Sequence, residues 1–250
     1  MKIQTLMASS LIVMALAAGE LGAQVTDSSA ANHVFAQFAD GRFSDGTYYR
    51  SSVMVSSDSS SSIDCTSTLH GMSVPGFGDG FTRSFTLAGG GWNIYRTPGS
   101  QTFQNGYVTL NCNAAVTAQV LYTFIAPSGI VLSEATVFSS PAASIAQLLT
   151  DQRNSAQLGI AIVNDSSVSK EFVIVALDAA GIEIGRRSVQ IAGRSQIARF
   201  LNELISVPAD YVGQVQISTN TTDTFDVYAI GLRFTGNAFT TTPVSLRTPR

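Results

Sequence analysis

Short stretches in which every second residue is apolar recur along this chain, and they restrict its fold more than any other feature. They follow one another at intervals of about 8–12 residues, separated by Gly, Ser, Asn and Asp. Alternate side chains of a strand face the same side, so each stretch can build a strand with one apolar face. The series predicts an all-β sandwich or barrel. The stretches are residues 52–56, 81–87, 107–112, 118–124, 158–163, 172–177, 188–191, 212–218 and 228–234.

The chain also repeats itself. Residues 53–60 are matched by residues 160–167, and residues 106–110 by residues 213–217, in both cases 107 positions later. Two more matches keep the same order: residues 85–89 with 189–193, and residues 120–124 with 230–234, at offsets of 104 and 110. Four ordered matches predict a duplicated unit of about 100 residues, the size of an immunoglobulin-like sandwich. Chance similarity among serine-rich strands is the alternative.

This repeat predicts two tandem immunoglobulin-like β-sandwich domains from an internal duplication. The first is expected over residues 24–139 and the second over residues 153–250, joined by a linker at residues 140–152. Helical periodicity is confined to residues 200–205, which end before a proline and predict one short helix. Part of the linker, residues 144–152, fits either a short helix or a linking strand.

The N-terminus has the features of a cleaved signal peptide over residues 1–23. Lys2 supplies a positive start, residues 6–18 are apolar, and small residues precede the expected cut at Gln24. The alternative is a membrane anchor, but spanning a bilayer takes about 20 apolar residues. We therefore expect an exported protein, secreted, extracellular or periplasmic, with no membrane span in its mature chain.

Two cysteines follow the expected cleavage site. Cys65 shares its alternation phase with Ile63, and Cys112 shares its phase with Leu110, so both sulfurs are expected to face one core. Exported proteins meet an oxidising environment, and a Cys65–Cys112 disulfide is predicted. The alternative is a pair of buried free thiols. A catalytic thiol is not expected, because an inward-facing cysteine without a histidine beside it is inert.

Charge is sparse, and this restricts the partners and the chemistry. Charged residues make up 12% of the chain and the net charge is −3, with Lys and Arg scattered. A nucleic-acid partner is not expected, because such proteins concentrate basic residues on one face. The two histidines, His33 and His70, lie in no catalytic motif, and no acidic loop has the spacing of a calcium site. We predict no catalytic residue, no metal and no cofactor.

Aromatic residues expected at the surface are the candidate binding residues. They are Tyr48, Tyr49, Trp92, Tyr95 and Phe103. Aromatic rings offer flat apolar faces for stacking, which makes a carbohydrate-binding module one interpretation. Trp92 shares its alternation phase with Ile94, so the default interpretation of Trp92 is a place in the core or at a domain interface.

Two stretches resemble recurrent phrases in a family of exported bacterial β-sandwich proteins without an assigned function. One is F-x-Q-F-A-D-G at residues 35–41, and the other is L-R-F followed by F-T-T-T-P-V, within residues 232–244. The resemblance extends from about Val34 to Val244. It implies an exported, β-rich bacterial protein of a kind often attached to larger surface proteins, and it transfers no functional residue.

These features together predict a non-enzymatic structural or adhesive interaction module, secreted or at the cell surface, with an extracellular protein or glycan as partner. Two alternatives stay open: a carbohydrate-binding module using surface aromatics, and a hydrolase with its site between the domains. The sequence also leaves open whether residues 34–39 pair within the chain. Pairing with a neighbouring subunit by edge-strand addition would produce self-association.

Overall fold

The computed structural model describes residues 29–220 and 226–247, so the predicted signal peptide lies outside the described residues. Within these residues the chain is nearly all β, which confirms the predicted class. One short helix, α1 (Leu201–Leu204), lies inside the span where the sequence predicted it. No helix of the described residues is long and apolar enough to cross a membrane.

Seven strands form the N-terminal half, which we define as residues 29–138. They are β1 (Ser29–Arg42), β2 (Tyr48–Ser56), β3 (Ile63–His70), β4 (Thr82–Leu87), β5 (Trp92–Arg96), β6 (Gln104–Ile125) and β7 (Val131–Phe138). They pair in the order β4-β3-β6-β1-β2-β5, with β7 also on β6. The 22-residue β6 pairs first with β1 and β3 and later with β2 and β7. It therefore belongs to two runs of paired strands, β4-β3-β6-β1 and β5-β2-β6-β7, which we call the two layers of this half.

The remaining strands form the C-terminal half, residues 145–247. They are β8 (Ile145–Asp151), β9 (Gln157–Asn164), β10 (Lys170–Leu177), β11 (Glu183–Ile191), β12 (Ser195–Phe200), β13 (Val212–Thr219), β14 (Tyr228–Thr235), β15 (Ala238–Thr242) and β16 (Ser245–Arg247). One sheet has the order β11-β10-β13-β8-β16 and the other β12-β9-β14-β15. Leu148, Ile160 and Ile174 are among the buried residues between the sheets. This half is a β-sandwich.

The core of the N-terminal half continues across the junction with the C-terminal half. Phe35 and Val120 belong to a cluster of buried side chains that also includes Ala161, Val163 and Ile230 from the other half. These contacts remove apolar surface of both halves from water, which stabilises their association. The two halves therefore pack directly on each other.

The structure shows where two segments lie whose place the sequence left open, residues 145–151 and residues 34–39. Residues 145–151, expected in a linker, form β8, which pairs with β13 and buries Leu148. Of the two alternatives open for residues 144–152, a short helix or a strand, the structure has the strand, because alternating apolar residues let it pair with β13. Residues 34–39, whose partner was open, lie in β1 and pair with β6 of the same chain. Neither segment is a free connection or a free strand.

The strand order of the C-terminal sandwich differs from that of an immunoglobulin domain. There the first strand lies in the sheet of the second, fourth and fifth strands. Here β8 lies beside β13, and β14 takes the place beside β9. The pairs β9–β12 and β10–β13 correspond to pairs within the immunoglobulin sheets. The sandwich is observed, and the immunoglobulin order is not.

Cys65 and Cys112 form the predicted disulfide. They lie directly opposite each other on β3 and β6, with their Cα atoms 4.1 Å apart. The bond therefore joins two neighbouring strands of one layer and closes a loop with a sequence separation of 47 residues. That loop contains β4 and β5 in full.

We expect loss of this disulfide to lower the free energy of unfolding by about 4 kcal/mol, because an open loop of this length gains chain entropy in the unfolded state. Urea titrations of the oxidised protein, the reduced protein and the Cys65→Ala/Cys112→Ala variant would measure the change. Reductant should leave the variant unaffected. Equal midpoints for the oxidised and reduced protein would contradict the prediction.

Candidate functional site

A cavity of about 380 Å³ opens at the junction between the two halves. This volume falls within the range of small-molecule sites. Residues from the ends of several strands line it, and most of them are apolar. They are Gln37, Ala39, Phe43, Tyr49, Phe103, Asn105 and Tyr122 from the N-terminal half, and Gly159, Ile160, Ala161, Ala198, Arg199, Phe200, Glu203, Ile230, Leu232, Phe234 and Phe239 from the C-terminal half. We call this cavity the junction cleft.

Aromatic rings form both walls of the junction cleft. On the N-terminal side, Phe43 and Phe103 stack with centroids 4.4 Å apart. On the C-terminal side, Phe234 lies 5.6 Å from Phe239. Tyr49 spans the gap, with its centroid 6.0 Å from that of Phe239. The cleft therefore offers flat apolar faces from two independent parts of the chain.

Local hydrogen bonds hold the Phe43 and Phe103 segments in place. Phe43 accepts from Gly46 and donates to Thr47 within the turn between β1 and β2. Phe103 N–H donates to the Arg42 carbonyl at 2.9 Å, which ties the segment before β6 to the end of β1. Gly41, with φ of 110°, is required there, because an added Cβ would lie 2.6 Å from a backbone oxygen of residue 102.

Polar groups are few in the junction cleft. The Tyr122 hydroxyl is buried and has no hydrogen-bond partner among the described residues. Burial raises the pKa of Tyr49 to about 12, so its phenol stays neutral. Glu203 accepts the Phe200 N–H at 2.9 Å and so caps α1. No histidine, cysteine or aspartate lines the cleft in the part of the chain that the structure describes. The arrangement suits binding better than proton transfer.

A cluster of polar side chains lies around His70, at the junction between the halves. Its Nε2 is 3.0 Å from the Thr109 hydroxyl, and its ring stacks on Tyr107 with centroids 4.3 Å apart. The Tyr107 hydroxyl donates to Asp165 at 2.9 Å, and Arg194 donates to the same carboxylate at 2.6 Å. The Asp165 carboxylate is therefore bonded to Tyr107 and Arg194. In a catalytic triad the carboxylate instead accepts a hydrogen bond from the histidine ring. The cluster connects the halves and gives no support to a hydrolase at His70.

The structure separates the predicted binding residues. Tyr49 and Phe103 line the junction cleft. Tyr48 is buried beneath Arg42 and is corrected as a surface residue. Tyr95 is half-buried and meets Phe77 edge-on, at 4.9 Å. The four residues Tyr48, Tyr49, Trp92 and Tyr95 do not form one site.

Trp92 lies on the surface, which corrects its default interpretation as a core or interface residue. Its exposed fraction is 72%, and Ile94 on the same face of β5 is 40% exposed. The strand register places Ile94 beside Met54, then Gln119, then Phe138, which is 49% exposed. Leu121 lies diagonally between these positions. We call Trp92, Ile94, Met54, Leu121 and Phe138 the Trp92 face.

Sequence reasoning missed most of the junction cleft. Phe43 lies in a turn, and Phe200 ends β12. Phe234 and Phe239 belong to the closing phrase, which marked them as structural only. No spacing connects these residues, because they come together only when the halves pack. The one signal in the sequence was the closeness of Phe234 and Phe239, which face each other in the β14–β15 hairpin.

Comparison with known protein families, with curated proteins and with solved structures found no match for this chain.

Two buried tyrosines allow a matched test of the polar groups. Tyr122→Phe removes a buried hydroxyl without a partner and should leave stability unchanged or raise it by about 1 kcal/mol. Tyr107→Phe removes the bond to Asp165 between the halves and should lower stability by about 1–2 kcal/mol. Chemical denaturation of both variants measures the difference. A larger loss for Tyr122→Phe than for Tyr107→Phe would contradict this assignment.

Acidification should destabilise the fold through the histidines. Burial lowers the pKa of His33 and of His70 below the ordinary value. The unfolded chain, with histidine pKa values near 6.5, then takes up protons first, so stability is fully present above about pH 6.5 and falls as the pH drops below it. Thermal unfolding between about pH 7.5 and about pH 5.5 would measure the fall. His33→Gln/His70→Gln should flatten the profile; an unchanged slope would refute the assignment.

Proposed function

We propose that this chain is an exported, non-enzymatic interaction module built from two copies of one β-sandwich. It recognises its partner in the junction cleft between the copies. The observation that supports this function is the convergence of aromatic rings from both halves on one cavity, of which Phe43 and Phe239 are examples. Concave apolar sites with a few polar groups are typical of ligand binding.

The strand orders of the two halves support the duplication. The layers β4-β3-β6-β1 and β5-β2-β6-β7 have counterparts of the same order in β11-β10-β13-β8 and β12-β9-β14-β15. The facing pair Cys65–Cys112 corresponds to the facing pair Phe172–Thr219, each residue 107 positions later. The second copy would thus keep the register of the disulfide without its sulfurs.

A close backbone approach also recurs. A Cβ added to Gly106 would lie 2.1 Å from the His70 carbonyl oxygen, and a Cβ added to Gly213 would lie 2.2 Å from the Leu177 carbonyl oxygen. Both glycines and both carbonyls are 107 positions apart. This shared close approach supports descent from one ancestral unit over chance similarity among serine-rich strands.

Export is supported by the signal-peptide features of residues 1–23 and by the disulfide, since disulfides persist in oxidising compartments. Membership in the exported bacterial family that the sequence resembles is part of the same proposal. Phe35 and Phe38 of the F-x-Q-F-A-D-G phrase are buried, and Asp40 accepts the Gly99 N–H at 2.9 Å. These contacts support a structural role for the phrase.

The chemistry of the junction cleft favours a neutral, ring-bearing group. Its aromatic walls would stack on such a ring, a contact worth about 0.5–1.5 kcal/mol beyond burial of area. The amides of Gln37 and Asn105 would provide hydrogen bonds at the N-terminal side. Arg199 and Glu203 both line the cavity, so its charged groups favour neither an anion nor a cation.

Carbohydrate binding on the Trp92 face is the second candidate. An exposed indole on a sheet surface is the arrangement that favours stacking on sugar rings, and Trp92 is more exposed than any other large apolar residue of the described chain. Serine and threonine around it, such as Ser56 and Thr117, would supply hydrogen bonds to sugar hydroxyls.

Phenol and indole are suitable probes of the junction cleft, and their binding can be measured by saturation-transfer NMR and calorimetry. Phe43→Ala should raise the dissociation constant about two- to tenfold, because it removes a stacking face worth about 0.5–1.5 kcal/mol. Phe81→Ala is the matched control, since Phe81 is also exposed but does not line the cleft. Absence of binding to the wild-type protein, or equal binding by both variants, would refute the site.

A glycan array separates the second candidate from the first. Glycan binding that Trp92→Ala abolishes and Phe43→Ala preserves would favour carbohydrate recognition on the Trp92 face. Binding with the opposite dependence would place the sugar in the junction cleft.

A further inference from the structure

We propose that copies of this chain associate head to tail, with the Trp92 face of one copy docked on the outer surface of β8 and β13 of the next. This inference rests on the duplicated sandwich of the proposed function. It names a second copy of this chain as the occupant of an apolar sheet face. The argument comes from how the two halves of a single chain already pack.

Within one chain, the C-terminal half uses the outer face of its β12-β9-β14-β15 sheet for the junction. Ala161 and Val163 of β9 and Ile230 of β14 are buried in the core cluster of the N-terminal half. Ala198 of β12 and Leu232 of β14 pack against the same cluster. This sheet face is therefore the docking face of the C-terminal copy.

The Trp92 face is the counterpart of that docking face in the N-terminal copy. In the N-terminal copy, Val53 pairs with Tyr95 on one neighbouring strand and with Val120 on the other. In the C-terminal copy, Ile160 pairs in the same way with Arg199 and Gly231. This register makes Met54 the counterpart of Ala161, Ile94 that of Ala198, and Leu121 that of Leu232. These three docking positions stay apolar in the N-terminal copy, whereas the counterparts of Val163 and Ile230 are the polar Ser56 and Gln119. Trp92, Ile94 and Phe138 add exposed apolar surface around them.

The receiving surface also has a counterpart. In the N-terminal half, the outer side of β1 and β6 receives the other half, with Tyr107 bonded to Asp165 and Gln37 to Gln196. The strands in the same places of the C-terminal copy are β8 and β13. Their outer side carries Leu149, 61% exposed, and Val212, 41% exposed. We call these two residues, which lie diagonally across the pair, the Leu149 face.

One chain therefore carries an uncovered docking face at one end and an uncovered receiving face at the other. Contact between different surfaces of identical copies is heterologous, and it continues into a ring or an open filament. Stacked repeat units bury a continuous core in the same way, and they leave exposed apolar faces only at the ends. The inference differs from edge-strand addition, because it uses side-chain packing between sheet faces.

Sedimentation velocity of the mature chain, residues 24–250, from low micromolar to near-millimolar concentration tests this. We expect species larger than two chains that grow with concentration or close at a fixed ring size. Trp92→Ala/Ile94→Ser and Leu149→Ser/Val212→Ser should each be monomeric at concentrations where the wild type associates. Ile182→Ser is the matched control, because Ile182 is 63% exposed and lies on neither face.

Mixing the two double variants gives the sharpest result. Each keeps one intact face, so an equimolar mixture should form pairs of chains and nothing larger. All substituted side chains are exposed or half-buried, and circular dichroism and urea midpoints should match the wild type. A contact between two Trp92 faces would instead leave Leu149→Ser/Val212→Ser able to pair with itself, and that result overturns the proposal.

A wild type that stays monomeric throughout also overturns it. Phenol binding measured on the same samples separates this failure from failure of the proposed function. A protein that stays monomeric but binds phenol refutes the head-to-tail association and leaves the junction cleft as proposed. A protein that associates but binds neither phenol nor indole refutes the proposed site and leaves the association. The face variants should bind phenol like the wild type, since none of their substituted residues lines the cleft.

Discussion

Hydrogen bonding along β6 is the constraint on which the rest of the structure depends. This strand pairs with β1 and β3 near its start and with β2 and β7 near its end, so both layers of the N-terminal half meet on one continuous backbone. It also carries Cys112 of the disulfide, Tyr107 of the junction and Tyr122 of the cleft. The position of β6 therefore determines where the disulfide, the contact between the halves and the candidate site lie.

The junction combines apolar packing with a few directed hydrogen bonds. Ala161, Val163 and Ile230 supply burial, while bonds from Tyr107 to Asp165 and from the Phe239 N–H to Ser133 set the orientation of the halves. The two halves do not match over the whole of their facing surfaces, and the junction cleft remains where they diverge. A site made in this way depends on the relative placement of the halves more than on any one strand.

The disagreement at Trp92 shows how far alternation can be used. Alternation divides a strand into two faces, but it does not say which face is buried. On the edge strand β5, Trp92 and Ile94 have the apolar phase, yet Tyr95 faces the core. The proposed duplication has a similar limit: the sequence aligns Val120 with Ile230, whereas the strand registers align Val120 with Gly231. An error of one residue in such an alignment pairs a side chain of the core face with one of the junction face, because neighbouring residues of a strand point to opposite sides.

The sequence by itself determined the β class, the place of the short helix and the disulfide, because these depend on periodicity over a few residues and on the phase of two cysteines. It also placed Tyr49 and Phe103 among the binding candidates. Only the tertiary structure decided the strand order, the burial of Tyr48, the exposure of Trp92 and the composition of the junction cleft. The physical reason is that packing between distant segments sets these features. Phe43 and Phe239 line one cavity although they lie near opposite ends of the described chain, and no local pattern connects them.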